Sequence, residues 1–406
     1  MTSRINPTRR TVLAMGGASA FAVASRGWAQ SGPVKIGVAT DLTGVAAAYA
    51  KSQINGLNQA IDEINAAGGL LGREVALVVR DSQAKPDLGV SHARDLITGE
   101  GVDLLIGPVS SGVALGISNL AKQHKVPVIM SIPNTPRLSM ELFHPYFFTV
   151  VPSGLMESRA LAAAIGKDYK KFGFIGGDYE AARQGLAHFK ERLAVVNPEA
   201  EVVVESFPKL GEPDHTSYIT HLLSARPEAV YSYLWGADLV SFVKQAKTYG
   251  LFDRMAFSSI FFFDDLRALG AEMPDGIIGQ MRAPFFALES AGMAKFVQDH
   301  QAKFNEYPAD WAIMSYEAIQ LFALAVAKAG QLDSDAVVSA LETVQYEGLR
   351  GPLAFRKEDH QANVPSFIGT STSDPAYPFK VFSSMTRIPA EDIWPSIEEL
   401  EASRRS

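Results

Sequence analysis

The chain has 406 residues, 47% of them hydrophobic, with a net charge of −7 and no cysteine. The missing cysteine excludes a disulfide framework, a thiolate nucleophile, a cysteine zinc site and a lipid-anchored cysteine. An acidic balance without a basic patch argues against nucleic acid as a partner. The length exceeds the roughly 250–300 residues that one hydrophobic core usually serves, so two lobes are expected.

Residues 1–29 read as an export signal, separate from the fold. Arg9-Arg10 precede an apolar run of 12 residues, Val12 to Val23. That run is too short for a bilayer core, which takes about 20 residues. Gly27-Trp28-Ala29 makes a small-residue exit, and cleavage after Ala29 is expected. The signal is twin-arginine-like, although Thr8 stands where that pattern prefers serine. These residues hold four arginines and no acid, so the remainder carries a charge near −11. No later segment reads as long and apolar enough to cross a membrane; Leu321–Ala329 reads as part of a core helix.

Past the signal, strands and helices alternate. Val34–Thr40 is an apolar strand, and Ile54, Leu57, Ile61 and Ile64 recur at spacings of three and four, the mark of an amphipathic helix. Ala66-Ala67-Gly68-Gly69 stops that helix with a glycine cap. Next come strand Glu74–Arg80, helix Leu88–Thr98, strand Val102–Ile106, helix Val113–His124 and strand Val126–Ser131. A second run starts after Phe147–Val151. Its strands are Phe172–Ile175, Val202–Phe207, Ala229–Leu234 and Met255–Ser258, and its helices Leu155–Lys167, Ala181–Val195, Thr216–Ala225 and Leu239–Tyr249. Helices return at Met293–Asn305, Ala309–Ala329 and Asp335–Val344. Near-continuous Val/Ile/Leu strands between helices mark parallel sheets covered on both faces. The fold class is therefore α/β, as two doubly wound parallel-sheet lobes. Ligands of such sheets bind beyond the carboxyl ends of the strands. Two lobes facing each other would pool those ends into one cleft.

Several motifs carry a resemblance by their order and spacing. They are Asp62-Glu63-Ile64-Asn65-Ala66-Ala67-Gly68-Gly69-Leu70-Leu71-Gly72-Arg73, then Ile106-Gly107-Pro108-Val109-Ser110-Ser111 and Pro127-Val128-Ile129. Lys244-Gln245-Ala246-Lys247 with Gly250, and Tyr307-Pro308 ahead of Tyr316-Glu317-Ala318, complete the set. From about residue 34 to 385 the chain resembles the leucine/isoleucine/valine-binding protein family. The resemblance implies a type I periplasmic binding fold with three hinge crossings, near Val151, Pro284 and Arg350-Gly351-Pro352. Lobe one would hold residues 33–150 and 285–349, lobe two 151–284 and 350–385, with 386–406 as a C-terminal tail. The implied function is capture of a small carboxylate-bearing or amino-acid ligand in the interlobe cleft. Delivery to the permease subunits of an ABC importer would follow. The protein would be a soluble periplasmic monomer without cofactor or metal.

Within that frame particular residues become candidates for the ligand site. Ser110-Ser111-Gly112 opens a helix after a strand, where unpaired N–H groups and the helix dipole favour an anion. The resemblance implies that Ser111 meets the ligand carboxylate; plain N-capping is the alternative. In Ile132-Pro133-Asn134-Thr135, Asn134 falls where the family uses threonine, and it can still donate; an ordinary turn is the alternative. Tyr49 and Trp235 match a cleft tyrosine and an aromatic lid, against simple packing.

Two departures from the family pattern bear on the ligand. Asp178 and Tyr179 lie in the Gly176–Arg183 loop, where Ala181 stands in place of a tyrosine. Ser259 and Phe261 lie in the Ser258–Phe263 segment, which is uncharged where amino-acid binders hold an acid for the ammonium. A buried ammonium without a partner costs several kcal/mol. Either Asp264, Asp265 or Asp178 supplies the charge, or the ligand has no amine and Phe261–Phe263 form an apolar wall. Enzyme signatures are missing: Gly176-Gly177 matches a dinucleotide loop poorly, and there is no Walker lysine, G-x-S-x-G or H-E-x-x-H. Asp214, His215 and His221 make a poor metal set. The remaining alternatives are a ligand-sensing domain of a chemoreceptor and an amide- or urea-type ligand.

Overall fold

The computed structural model describes residues 32–44, 46–290 and 292–405. The expected export signal, with Arg9 and Arg10, lies outside them. The first sheet is parallel throughout. Its strands are β1 (Val34–Thr40), β2 (Val75–Asp81), β3 (Leu104–Ile106), β4 (Val128–Met130) and β5 (Phe147–Thr149), in the order β2-β1-β3-β4-β5. β1 pairs along its full length, from Val34 opposite Val75 to Thr40 opposite Asp81. Six of its seven residues are buried, as expected of a strand covered on both faces.

The crossovers of this sheet are α1 (Ala47–Ala66), α2 (Pro86–Asp95) and α3 (Ser111–His124). α1 stops where the glycine pair predicts. Gly68 and Gly69 take φ of 102° and 77°, and the Gly69 N–H returns to the Ile64 carbonyl at 2.9 Å. A Cβ on Gly69 would lie 1.9 Å from the Arg73 carbonyl oxygen, so the turn has no room for a side chain.

The second sheet follows α4 (Gly154–Ile165). It is built from β6 (Lys171–Gly176), β7 (Glu201–Ser206), β8 (Ala229–Tyr233), β9 (Ala256–Ile260) and β10 (Ile278–Met281). Helices α5 (Glu180–Val196), α6 (Thr216–Ala225), α7 (Gly236–Thr248) and the short α8 (Phe263–Leu269) alternate with these strands. The chain then runs through α9 (Met293–Phe304), α10 (Asp310–Ala329) and α11 (Ser334–Leu341). The small hairpin of β11 (Tyr346–Gly348) and β12 (Gly351–Leu353) leads to β13 (Ser366–Thr372), β14 (Val381–Ile388) and α12 (Ile397–Arg405). The order of the second sheet is β14-β13-β10-β9-β8-β6-β7.

Three features differ from the sequence reading. The second sheet is not parallel throughout: β13 pairs antiparallel with β10, and β14 antiparallel with β13. Residues 386–405, expected as part of a C-terminal tail, are structured. They finish β14 and form α12, whose Leu400 is buried and whose Glu399 pairs with Arg159 of α4. α10 as a whole is long and apolar enough to cross a membrane by length and composition. Most of it is buried, however, because it packs along α1 as a core helix. That packing is close: a Cβ on Gly56 of α1 would lie 2.0 Å from the carbonyl oxygen of Ala312.

Candidate functional site

The carboxyl ends of β1, β3 and β4 and those of β6, β8, β9 and β10 open onto one cavity of about 560 Å³. On the first-sheet side, Ser110 is the N-cap of α3 in extended backbone, and its hydroxyl accepts the Val113 N–H. The Ser110 N–H donates to Asp41 at 2.7 Å. Asp41 is fully buried at the end of β1 and also accepts the Ala84 N–H at 3.1 Å and the Ser82 hydroxyl. Among the described residues, nothing in the protein accepts from the N–H groups of Ser111 and Gly112, which line the cavity. They are the orphan donors of a helix start and remain available to a ligand.

Ile132 and Asn134 follow β4 and also line the cavity. The Asn134 side-chain amide donates to Glu157 at 2.8 Å, and the Asn134 backbone carbonyl accepts the Gly154 N–H at 2.9 Å. Glu157, on α4, is completely buried. Arg282, just past β10, meets it side-on, with Nε–Oε1 at 2.6 Å and Nη2–Oε2 at 3.1 Å. The Arg282 Nη1 reaches the Ile132 carbonyl at 3.3 Å. Loops of the first sheet and side chains of the second thus share one buried polar network.

Aromatic rings form much of the remaining wall: Tyr49, Tyr179, Tyr233, Trp235, Phe262 and Trp311. Tyr49 and Phe262 pack on Trp311, at ring separations of 4.9 and 4.5 Å. Tyr179 and Trp235 occupy the N-cap positions of α5 and α7 in extended backbone and cap neither helix with a side chain. Burial pushes the Tyr179 phenol up to about 12. It pushes those of Tyr49 and Tyr233 well above the usual range too. All three stay protonated and can donate a hydrogen bond. Behind the wall, Asp310 at the start of α10 accepts the N–H groups of Phe263 and Ala283, and Asp265 accepts that of Phe262. These carboxyls hold backbone in place.

Of the ten residues singled out in the sequence, the structure brings Tyr49, Ser110, Ser111, Ile132, Asn134, Tyr179 and Trp235 to the cavity wall. Asp178, Ser259 and Phe261 are not there. Asp178 points to the exterior and pairs with Arg183 at 2.5 Å. The Ser259 hydroxyl is buried in the sheet, donating to the Ser232 carbonyl, and Phe261 is buried against Phe382. Strand alternation explains both misplacements. Successive residues face opposite sides, so Ile260 and Phe262 reach the cavity while Ser259 and Phe261 turn away. Asp264 and Asp265, named as possible amine partners, do not line the cavity either. Asp264 pairs with Arg267, and Asp265 caps α8.

Sequence reading singled out none of Asp41, Glu157, Tyr233, Arg282 and Trp311, and it named Phe262 only within the Phe261–Phe263 run. The usable signal was a single acid, Glu157, in the first turn of α4, which in a buried helix demands a cationic partner.

Residues 33–375 match the family model for periplasmic binding proteins. A Leu/Ile/Val-binding protein of Rhizobium johnstonii is 28% identical over 333 residues, which are 80% of this chain and 86% of that protein. Among solved structures, an ABC-type branched-chain amino acid transporter protein of Rhodopseudomonas palustris aligns with a TM-score of 0.78 at 25% identity. That alignment covers 90% of this chain and 99% of the other. A solute-binding protein of an ABC transporter from R. palustris, in complex with benzoate, aligns with a TM-score of 0.77 at 21% identity, over 88% and 97% of the two chains. With the match running from β1 to β13 and taking in every strand that opens onto the cavity, the chain belongs to the periplasmic binding protein family.

Proposed function

We propose that this protein is the exported solute receiver of an ABC importer, and that its ligand is a small hydrophobic carboxylate without an amine. An aromatic acid or a branched 2-oxo acid fits this description. The carrying observation is the chemistry of the cavity wall. Six aromatic side chains supply apolar surface, and every wall acid already has donors. Glu157 is matched by Arg282 and Asn134, and Asp41 by two N–H groups and a hydroxyl. The third wall acid, Glu180, is exposed at the rim and accepts from the Gln184 side-chain amide. An ammonium would arrive without a buried partner of its own, which opposes binding by several kcal/mol.

In this reading the sheets belong to two lobes that close over the ligand about crossings near Val151, Pro284 and Arg350. Closure excludes water and strengthens each polar contact. A micromolar ligand supplies about −8 kcal/mol, enough to shift an open–closed balance of a few kcal/mol. The closed form is then presented to the permease subunits.

A hydrophobic amino acid is the second reading, favoured by the kinship with the Rhizobium protein. Its ammonium would have to share Glu157 with Arg282. Calorimetric titration with leucine, 4-methyl-2-oxopentanoate and benzoate separates the two. At least one acid should bind at micromolar Kd, with leucine at least tenfold weaker. Tight leucine binding without either acid overturns the proposal.

A further inference from the structure

Resting on the carboxylate reading above, we infer that Arg282 is the charged receiver of the ligand carboxylate, with Glu157 as its positioning residue. α3 would then be the lesser anion site. The guanidinium has five N–H bonds. Two go to Glu157 and one to the Ile132 carbonyl. Among the described residues the other two have no acceptor in the protein, and Arg282 borders the cavity. Of the arginines on the wall it is the buried one, 4% exposed; Arg137 is half-buried at the rim and paired with Glu141.

The surroundings fix the guanidinium before any ligand arrives. Glu157 holds it side-on, Asn134 holds Glu157 from the other sheet, and the rings of Phe262 and Trp311 flank it at 5.1 and 5.4 Å. A planar cation so held loses little entropy when a carboxylate docks on its outer edge. The same two rings continue into the cavity, so an apolar ligand body would lie against them while its anion faces the arginine.

The start of α3 is less suited to be the main anion site than its sequence suggested. The Asp41 carboxylate takes the Ser110 N–H and borders the cavity beside it. A resident negative charge there already meets the helix dipole and repels a second one. Ser111 and Gly112 can still donate hydrogen bonds, but to an oxygen whose charge is balanced elsewhere.

The test compares acids with their uncharged amides, using benzoate and benzamide, and 4-methyl-2-oxopentanoate and its amide. The wild type should bind an acid at least tenfold tighter than the matching amide. In Glu157→Gln/Arg282→Gln, which removes both buried charges together, that preference should shrink to about threefold or less. Ser111→Ala should weaken acid and amide by similar factors. A double variant that keeps its fold by circular dichroism and keeps the acid preference overturns the assignment. Should the double variant not fold, Arg282→Lys is read instead: a loss of at least fivefold for the acid alone supports it, and equal losses for acid and amide overturn it. If the wild type binds neither acid, the carboxylate reading itself fails and takes this inference with it. If acids bind and only the variants disagree, Arg282 alone is wrong.

Discussion

Asp265 accepts the N–H of Phe262 from a buried position, and burial, helped by the neighbouring Asp264 and Asp310, pushes its carboxyl up to about 8. Asp310, holding Phe263 and Ala283, is raised to about 6, chiefly by burial. In the unfolded chain both return to near 4. Between about pH 4 and 8 the folded protein therefore binds protons that the unfolded chain releases. The stability these groups contribute is full below pH 4 and is lost as pH rises through their folded values. Asp265→Asn keeps an oxygen for the Phe262 N–H and cannot ionise. Its melting temperature should fall less between pH 5 and 8 than that of the wild type; parallel curves would show that Asp265 does not titrate there. At this scale the sequence placed Ser111, Asn134 and Trp235 at the cavity, each following a strand end by a short loop, whereas Asp178, in a like position after β6, turns outward. It was illegible where the register of one strand decided the outcome. A shift of one residue exchanges Phe261 for Phe262, and nothing in a run of three phenylalanines says which faces the cavity.

α1 and α10 approach so closely at Gly56 that a methyl group has no space. Alanine raises helix propensity by about 1 kcal/mol over glycine. Overpacking costs about 1–3 kcal/mol, and here the obstacle is backbone, which cannot rotate aside. The clash should win: Gly56→Ala should lower the melting temperature by a few degrees, whereas a rise would show that the helices separate freely. Elements of this kind were readable, since α1, α3, α6 and α10 all carry long apolar stripes. β10, β13, β14 and α12 escaped notice. β10 is only four residues long, and β14 buries only its first two residues, Val381 and Phe382, so no alternation marks it. Missing β10 also hid Arg282, which directly follows it.

Across the whole molecule, the Arg350–Glu317 pair is fully buried where the chain changes sheets. Arg350 donates through Nε to Glu317 at 2.7 Å and through Nη2 to the Val150 carbonyl at 2.8 Å, tying two of the proposed crossings together. Glu317→Ala would leave a buried guanidinium without its counter-charge, at a cost of about 3–5 kcal/mol. A large drop in denaturant midpoint is expected, well beyond that of Glu317→Gln, which keeps a hydrogen-bond acceptor. A Glu317→Gln midpoint equal to that of the wild type would show that the pair contributes no net charge stabilisation. The placement of the tryptophans has a different consequence, an optical one. Of the four indoles in the sequence one, Trp28, lies in the segment read as an export signal, and two of the remaining three, Trp235 and Trp311, stand on the cavity wall. Once that segment is removed, as the proposed export requires, two of the three remaining emitters stand at the cavity. Occupancy can be read from the unlabelled protein as a change in intensity or colour, and an absorbing aromatic ligand adds quenching by energy transfer.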